Sequence, residues 1–450
     1  MTQQGVRWTA DQVLALAPDA ASRKAGSKLG AAGPWSEAGS SDEGTVWGLC
    51  RGSGSKPYQT VIDIADSTGP AYKCSCPSRK FPCKHALGLL LLWAGEDGTV
   101  PRGQAPDWAE QWMEGRRRRA EEKRTTSGAS GASTGDPEAA RRRAERRAER
   151  ITAGAAELEQ RLTDLLRGGL AAAEQAGYGL WEETAARMVD AQAPGLAARV
   201  RELGAIPSSG PGWPVRLLEE CALLHLLDQG WLRRERLPEG LGATVRSRIG
   251  LSGSADGPPV RDRWLVLAQY DTGDSRLTTR RIWLYGAESG RSVLLLSYGA
   301  AGRAPELALP VGLVLDAEVS AYPGEGQLRA ALGEQFAPPA PVVLRPPGVS
   351  VARATALYGE ALRHDPWLDA HPVTLGRVIP TPDGESWQLA DADGDSALPL
   401  TTAASSRSGL WRLVSLSGGA PVTVFGECGH RGFTPLAAWP EGPGEAVTLC

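Results

Sequence analysis

Seven cysteines and five histidines are the residues of this 450-residue chain most able to hold a metal, and four of them fall together. They read Cys74-x-Cys76-x6-Cys83-x-His85. Three thiolates and one imidazole within twelve positions suit tetrahedral zinc, which binds sulfur and nitrogen at about 2.0–2.3 Å. Lys73 to Cys76 follows strand-like residues, and positions i and i+2 of a strand share a face, so both thiolates can meet one ion. Pro77-Ser78 turns the chain. Pro82 suits the first turn of a helix expected over Cys83 to Ala94 and stopped by Gly95, with Cys83 and His85 closing the site. Four protein ligands fill the coordination shell, so the zinc should be structural rather than catalytic. The set around one dication carries a formal charge of −1. Lys73, Arg79, Lys80 and Lys84 lie in or beside it, with no acid between positions 73 and 85. Those cations stabilise the thiolates and make a small basic surface that could contact nucleic acid or another partner.

The spacing C-x-C-x6-C-x-H in a strand–turn–helix context resembles the SWIM-type zinc finger. Bacterial proteins of that family carry the finger near the N-terminus, followed by long regions of unassigned function. The resemblance implies zinc binding through Cys74, Cys76, Cys83 and His85, and a role in binding DNA or protein. It covers at most about the first hundred residues.

The elements that must position this site come next. Thr9 can cap a helix over Ala10 to Ala17, and a second is expected over Ala20 to Leu29. Residues 45–50, 58–64 and 71–76 alternate like strands and suggest a small sheet, against which Leu87, Leu90, Leu91 and Ala94 of the finger helix pack at helical spacing. Residues 101–136 are rich in Pro, Gly, Ser, Thr and Arg, and read as a basic, largely disordered linker. Its runs Arg116–Arg119 and, just beyond, Arg141–Arg143 could track phosphates or an acidic partner.

A helical domain is expected over 137–250: one helix from Ala139 to about Arg167, a second from Leu180 to Leu203 bent near Pro194, and a third from Val215 to Trp231. Cys221 and His225 stand one turn apart there. Their leucine neighbours favour core positions over a second metal site. From residue 260 the pattern turns to short strands, giving β-rich domains at 251–335 and 340–450, small barrels or sandwiches, with one helix near Arg353 to Arg363. Trp411 to Leu416 is among the expected strands. The fold class is thus α+β and multidomain, with an N-terminal sheet plus finger module (1–100), a central helical domain and a C-terminal, mainly antiparallel β region.

A hydrophobic content of 42% and a net charge of −3 describe a globular chain with no global pull toward nucleic acid. No apolar run approaches the ~20 residues that span a bilayer, and the first residues lack a signal core, so a cytoplasmic chain without membrane contact is expected. Searching for catalysis finds no Walker A loop and no His-Glu-x-x-His. Gly131 to Gly135 matches G-x-S-x-G inside the linker, away from any strand–helix turn. Asp391 to Asp395 imitates a calcium loop, but Thr402 stands where Glu is needed, and Asp393-Gly394 fits a hairpin turn. Cys428-Gly429-His430 is half a zinc site. The leading expectation is a non-catalytic module that binds nucleic acid or protein, with no small-molecule substrate. The alternative is an enzyme whose site is assembled in the β-rich half.

Overall fold

The computed structural model describes residues 8–18, 20–52, 56–65, 70–78, 80–95, 99–129, 137–251, 253–273, 277–300, 305–342, 344–405, 408–442 and 444–450. The N-terminal module holds α1 (Ala10–Leu14), α2 (Ala20–Ser27), strands β1 (Trp35–Ser40), β2 (Thr45–Cys50), β3 (Tyr58–Asp63) and β4 (Ala71–Cys74), and α3 (Lys84–Ala94). Thr9 and Gln12 form a capping box on α1. The four strands make one antiparallel sheet in sequence order. Helix α3 buries Leu87, Leu89 and Leu90 completely. Its crossing with α2 is close because glycine stands at the contact: a side chain on Gly26 would collide with Leu87, and one on Gly88 with Leu29.

The expected disordered linker is overturned in part. Residues Asp107–Ala129 form helix α4. Ala109 is fully buried against Trp47 and Val61, with Trp108 and Trp112 beside it. Arg116 lies over the Trp112 ring and pairs with Asp63 at 3.7 Å. Trp108, Ala109 and Trp112 fall on one helical face and dock on the sheet, a periodicity outweighed in the sequence by the Pro-, Gly- and Ser-rich flanks. Residues 130–136, including the G-x-S-x-G match, lie outside the described residues.

Helices α5 (Pro137–Gly168), α6 (Ala171–Asp190), α7 (Pro194–Ala205), α8 (Trp213–Leu232) and α9 (Glu239–Ile249) form the helical region. Ile151, Leu158, Trp181, Met188, Val200, Leu224 and Trp231 are among its buried side chains. The expected bent helix is two helices. Pro194 disfavours helical geometry at Ala193, and Gln192 takes a left-handed φ of 63°. Helix α9 went unread in the sequence.

The β-rich half begins with β5 (Val260–Gly273), β6 (Leu277–Gly286), β7 (Ser292–Ala300), β8 (Leu313–Ala321), β9 (Arg329–Gln335) and β10 (Ala340–Pro341). Strand β9 pairs parallel with β7 and antiparallel with β8, and β8 pairs with β5. Five strands therefore close a barrel, β5-β6-β7-β9-β8, back to β5. Helix α10 (Val351–Leu362) leads to β11 (Ala370–Asp383), β12 (Ser386–Asp391), β13 (Ala397–Pro399), α11 (Thr402–Ser405), α12 (Ser408–Ser417), β14 (Val422–Gly429), β15 (Gly432–Pro440) and β16 (Val447–Thr448). A parallel bridge between Leu400 and Phe433 links the end of β13 to β15. The order is again first-second-third-fifth-fourth, the connectivity of the five-stranded OB-type barrel, here twice in tandem. Trp411 to Leu416, expected as a strand, belongs to α12. Leu410, Leu413 and Ser417 are among its buried positions, at a spacing of three to four residues. The last region thus holds three helices, not one.

The units share cores. The first barrel's interior residues Trp264, Val266, Ile282 and Leu315 belong to one buried cluster with Val13, Leu87, Leu90 and Trp93 of the finger module. Gln12 donates to the Val311 carbonyl at 3.2 Å. The opposite side of β5–β7, with Leu265, Leu267, Trp283 and Leu294, packs on Phe425, Leu436 and Trp439 of the second barrel. Glu427 accepts hydrogen bonds there from Tyr270 at 2.7 Å and Trp283 at 2.9 Å. Trp367 inserts into the helical core and donates to the Leu223 carbonyl.

Candidate metal centre

The β3–β4 ladder places the first two ligands. Cys74 faces Thr60 in the register. Pairing continues past the strand, since the Ser75 amide donates to the Gln59 carbonyl at 3.0 Å and the Gln59 amide to the Ser75 hydroxyl at 2.9 Å. Beyond Cys76 a turn is tied by Ser78, whose hydroxyl donates to the Lys80 carbonyl. Cys83 is the N-cap of α3 rather than its first residue, and His85 lies in the first turn. The four donor atoms come within 4.8 Å of one another.

The geometry fits zinc. Cys74 Sγ lies 3.7 Å from His85 Nδ1. Ligands of a tetrahedral zinc with ordinary bond lengths sit about 3.6 Å apart for a sulfur–nitrogen pair. Cys83 and His85 are buried, Cys74 and Cys76 half-buried. The Thr60 hydroxyl stands 3.3 Å from Cys74 Sγ, and the Tyr58 ring lies on His85 with centroids 4.8 Å apart. These contacts orient the ligands as outer-shell groups do in metal sites.

Binding zinc would convert the three thiols to thiolates. The Cys83 thiol, with His85 and Thr60, hydrogen-bonds to Cys74 and holds its pKa down at about 3 against the effect of burial. Sharing that bond pushes the Cys83 thiol up, and burial adds to it. Burial likewise raises Cys76. Three thiolates gathered so closely repel one another unless a dication lies between them. The set fits one structural zinc ion, and among the described residues no other His, Cys, Asp and Glu group of this kind occurs.

Beside the centre is a recess of about 590 Å³, lined by α2, the end of the β2 strand and the metal-binding turn. Of the four expected basic contacts, Lys80 and Lys84 line it. Lys73 is exposed on β4 and lies outside it, and Arg79 falls outside the described residues. Arg51 and Tyr58 also line it, and none of the lining residues is acidic. Neither was singled out in the sequence. The register of the β2–β3 hairpin, Cys50 opposite Tyr58, is the signal that brings them together.

The other sequence candidates disperse. Cys221 is buried in the helical core, while His225 is exposed and pairs through Nδ1 with Glu159 at 2.7 Å. Cys428 is buried, and exposed His430 donates to or accepts from the Tyr358 hydroxyl at 3.4 Å. Asp391 caps α10 by accepting from the Val351 amide, and Asp393 pairs with Arg377, so this loop is a hairpin turn. Among the described residues no helix is long and apolar enough to cross a membrane.

Residues 70–94 match the family model of the SWIM zinc finger, and residues 146–249 match that of the SWIM-associated four-helix bundle domain. The first match spans β4, the four ligands and α3; the second spans most of α5 and all of α6 to α9. No curated protein and no solved structure matches the chain. The chain therefore carries a match to the SWIM zinc finger, followed by one to its associated helical bundle.

Proposed function

We propose that the finger module is a non-catalytic, zinc-stabilised surface that binds nucleic acid. The observation that carries this reading is the recess beside the metal, which Arg51, Lys80 and Lys84 all line and whose described lining includes no acidic residue. Such a cluster attracts a polyanion and repels cationic surfaces. Four protein donors leave the metal no open position for a substrate, which supports a structural role. The two barrels have a connectivity used elsewhere for oligonucleotides. Fold alone names no function, and the outer face of β6 and β7 is buried against the second barrel.

Zinc and binding should be coupled, because Cys76, Cys83 and His85 themselves line the recess. Three phosphate contacts give a slope of about −2 to −3 in log K against log salt. Replacing Lys80 and Lys84 with Gln is expected to remove about two-thirds of that slope while zinc stays at about one ion per chain. Titrations of labelled DNA and RNA from ~50 mM salt upward measure it. No binding to either at the lowest salt refutes the reading and leaves the finger as a protein-docking element.

A further inference from the structure

We infer that the recess beside the zinc takes an unpaired stretch of one or two nucleotides, so that the module selects single strands over duplex. The inference rests on the nucleic-acid reading above and adds the form of the ligand. Its basis is the shape and the unlike walls of the recess. One wall is α2 and the turn after it, which contribute Ala21, Ser22, Ala25 and Leu29. These side chains are small or apolar. The glycine-mediated crossing of α2 on α3 holds that wall against the metal-binding turn. The rest of the lining includes the cations Arg51, Lys80 and Lys84, and Tyr58.

A ligand that fills such a space must be anionic along one edge and apolar and planar along the other. A nucleotide has that chemistry: a phosphate for the cations, and a base face for the alanines and Leu29. The volume of about 590 Å³ falls in the range of about 300–1,000 Å³ that encloses a small organic ligand, the size class of one or two nucleotides. A duplex offers its phosphates from a convex, rigid rod and turns its bases inward. It can touch the rim of the recess but cannot enter it. Unpaired nucleotides can be splayed out, stacked and tracked by cations at once.

Ala21 is the residue to change. It is exposed, lines the recess and is not one of the metal ligands. Ala21→Glu places a negative charge on the apolar wall, and Ala21→Gln adds the same bulk without it. Both variants of the full zinc-loaded chain are titrated with a fluorescent oligothymidine of about twelve nucleotides and with a duplex of the same length at ~50 mM salt. Zinc content and thermal melting check that each variant is folded. The expected result is wild-type binding of the single strand at least about tenfold tighter than of the duplex. Ala21→Glu should weaken the single strand about tenfold or more, and Ala21→Gln should have clearly less effect. If duplex and single strand bind equally well and Ala21→Glu changes neither, no strand enters the recess and the inference falls, while contact with the cations at its rim keeps the nucleic-acid reading. If the wild type binds neither, both the recess inference and that reading fall.

Discussion

Cys83→Ser is expected to release the zinc and to loosen the first barrel together with the finger. The ligand sits at the N-cap of α3, so losing it frees the start of the helix whose leucines fill the shared core. Structural zinc contributes about 10–16 kcal/mol to folding in isolated fingers at neutral pH. Even a third of that would lower the melting temperature of a unit of this size by about 10 °C. Read from the sequence alone, the damage would stay local, because residues 137–450 carry cores of their own. The structure changes that expectation, since Leu87, Leu90 and Trp93 belong to the same buried cluster as Trp264, Ile282 and Leu315. Metal analysis should fall from about one zinc per chain to near zero. Amide exchange should speed up in β5 and β8 as well as in α3. Zinc retained by the variant would refute the ligand assignment. Zinc lost with unchanged protection in β5 and β8 would refute the coupling through the core.

Asp228→Asn is expected to stabilise the helical bundle, with an effect that grows as pH rises. Asp228 lies on α8, fully buried, and neither carboxylate oxygen has a hydrogen-bond partner. Burial first, then the charge of Glu159 on α5, pushes its pKa up to about 9. Glu159 is itself held by His225 and by Gln229, which donates at 2.8 Å. In the unfolded chain the same carboxyl ionises near 3.9. Between about pH 4 and pH 9 the folded state therefore keeps a proton that the unfolded state has released, and stability falls as pH rises through that window. Below it the effect vanishes, and above it the cost levels off. Each unit is worth at most about 1.4 kcal/mol, and relaxation of the bundle reduces the sum. The gain on substitution should be on the order of 2–4 kcal/mol at pH 8 and near zero at pH 4. Urea melts of wild type and variant at the two pH values measure it. Equal differences at both, or a loss of stability at pH 8, would show that Asp228 is not held as a buried acid.

Asp228 also marks where reading by pattern stops. It lies in an apolar helix beside Leu226 and Leu227, and nothing in that stretch says whether the carboxyl points inward. The partner Glu159 stands on another helix, 66 residues before His225. The metal ligands are the opposite case. Cys74, Cys76, Cys83 and His85 span twelve positions, and the strand, turn and helix that aim them are local structures with their own signals: alternation, Pro77, Pro82 and the leucine face of α3. The helical region and the alternating strands of the last 190 residues were legible for the same reason. Period and turn chemistry act over a few residues. Helix α12 was misread because a short apolar run, Leu410 to Leu416, suits either element until a partner surface selects one face.

By itself, then, the sequence determined the zinc ligands, the finger helix and the α+β order of elements, since each depends on contacts between near neighbours. Tertiary structure alone decided the rest. Strand β9 closes the first barrel by pairing with β7, Leu294 opposite Arg329, across the whole of β8. Helix α4 docks where the sequence suggested a linker, because Trp47 and Val61 offer it an apolar surface. Arg51 meets Lys80 and Lys84 only because the β2–β3 hairpin and the metal-binding turn come together across the recess. The finger and the barrel melt into one core because burying apolar surface depends on which faces meet, and no local pattern encodes that choice.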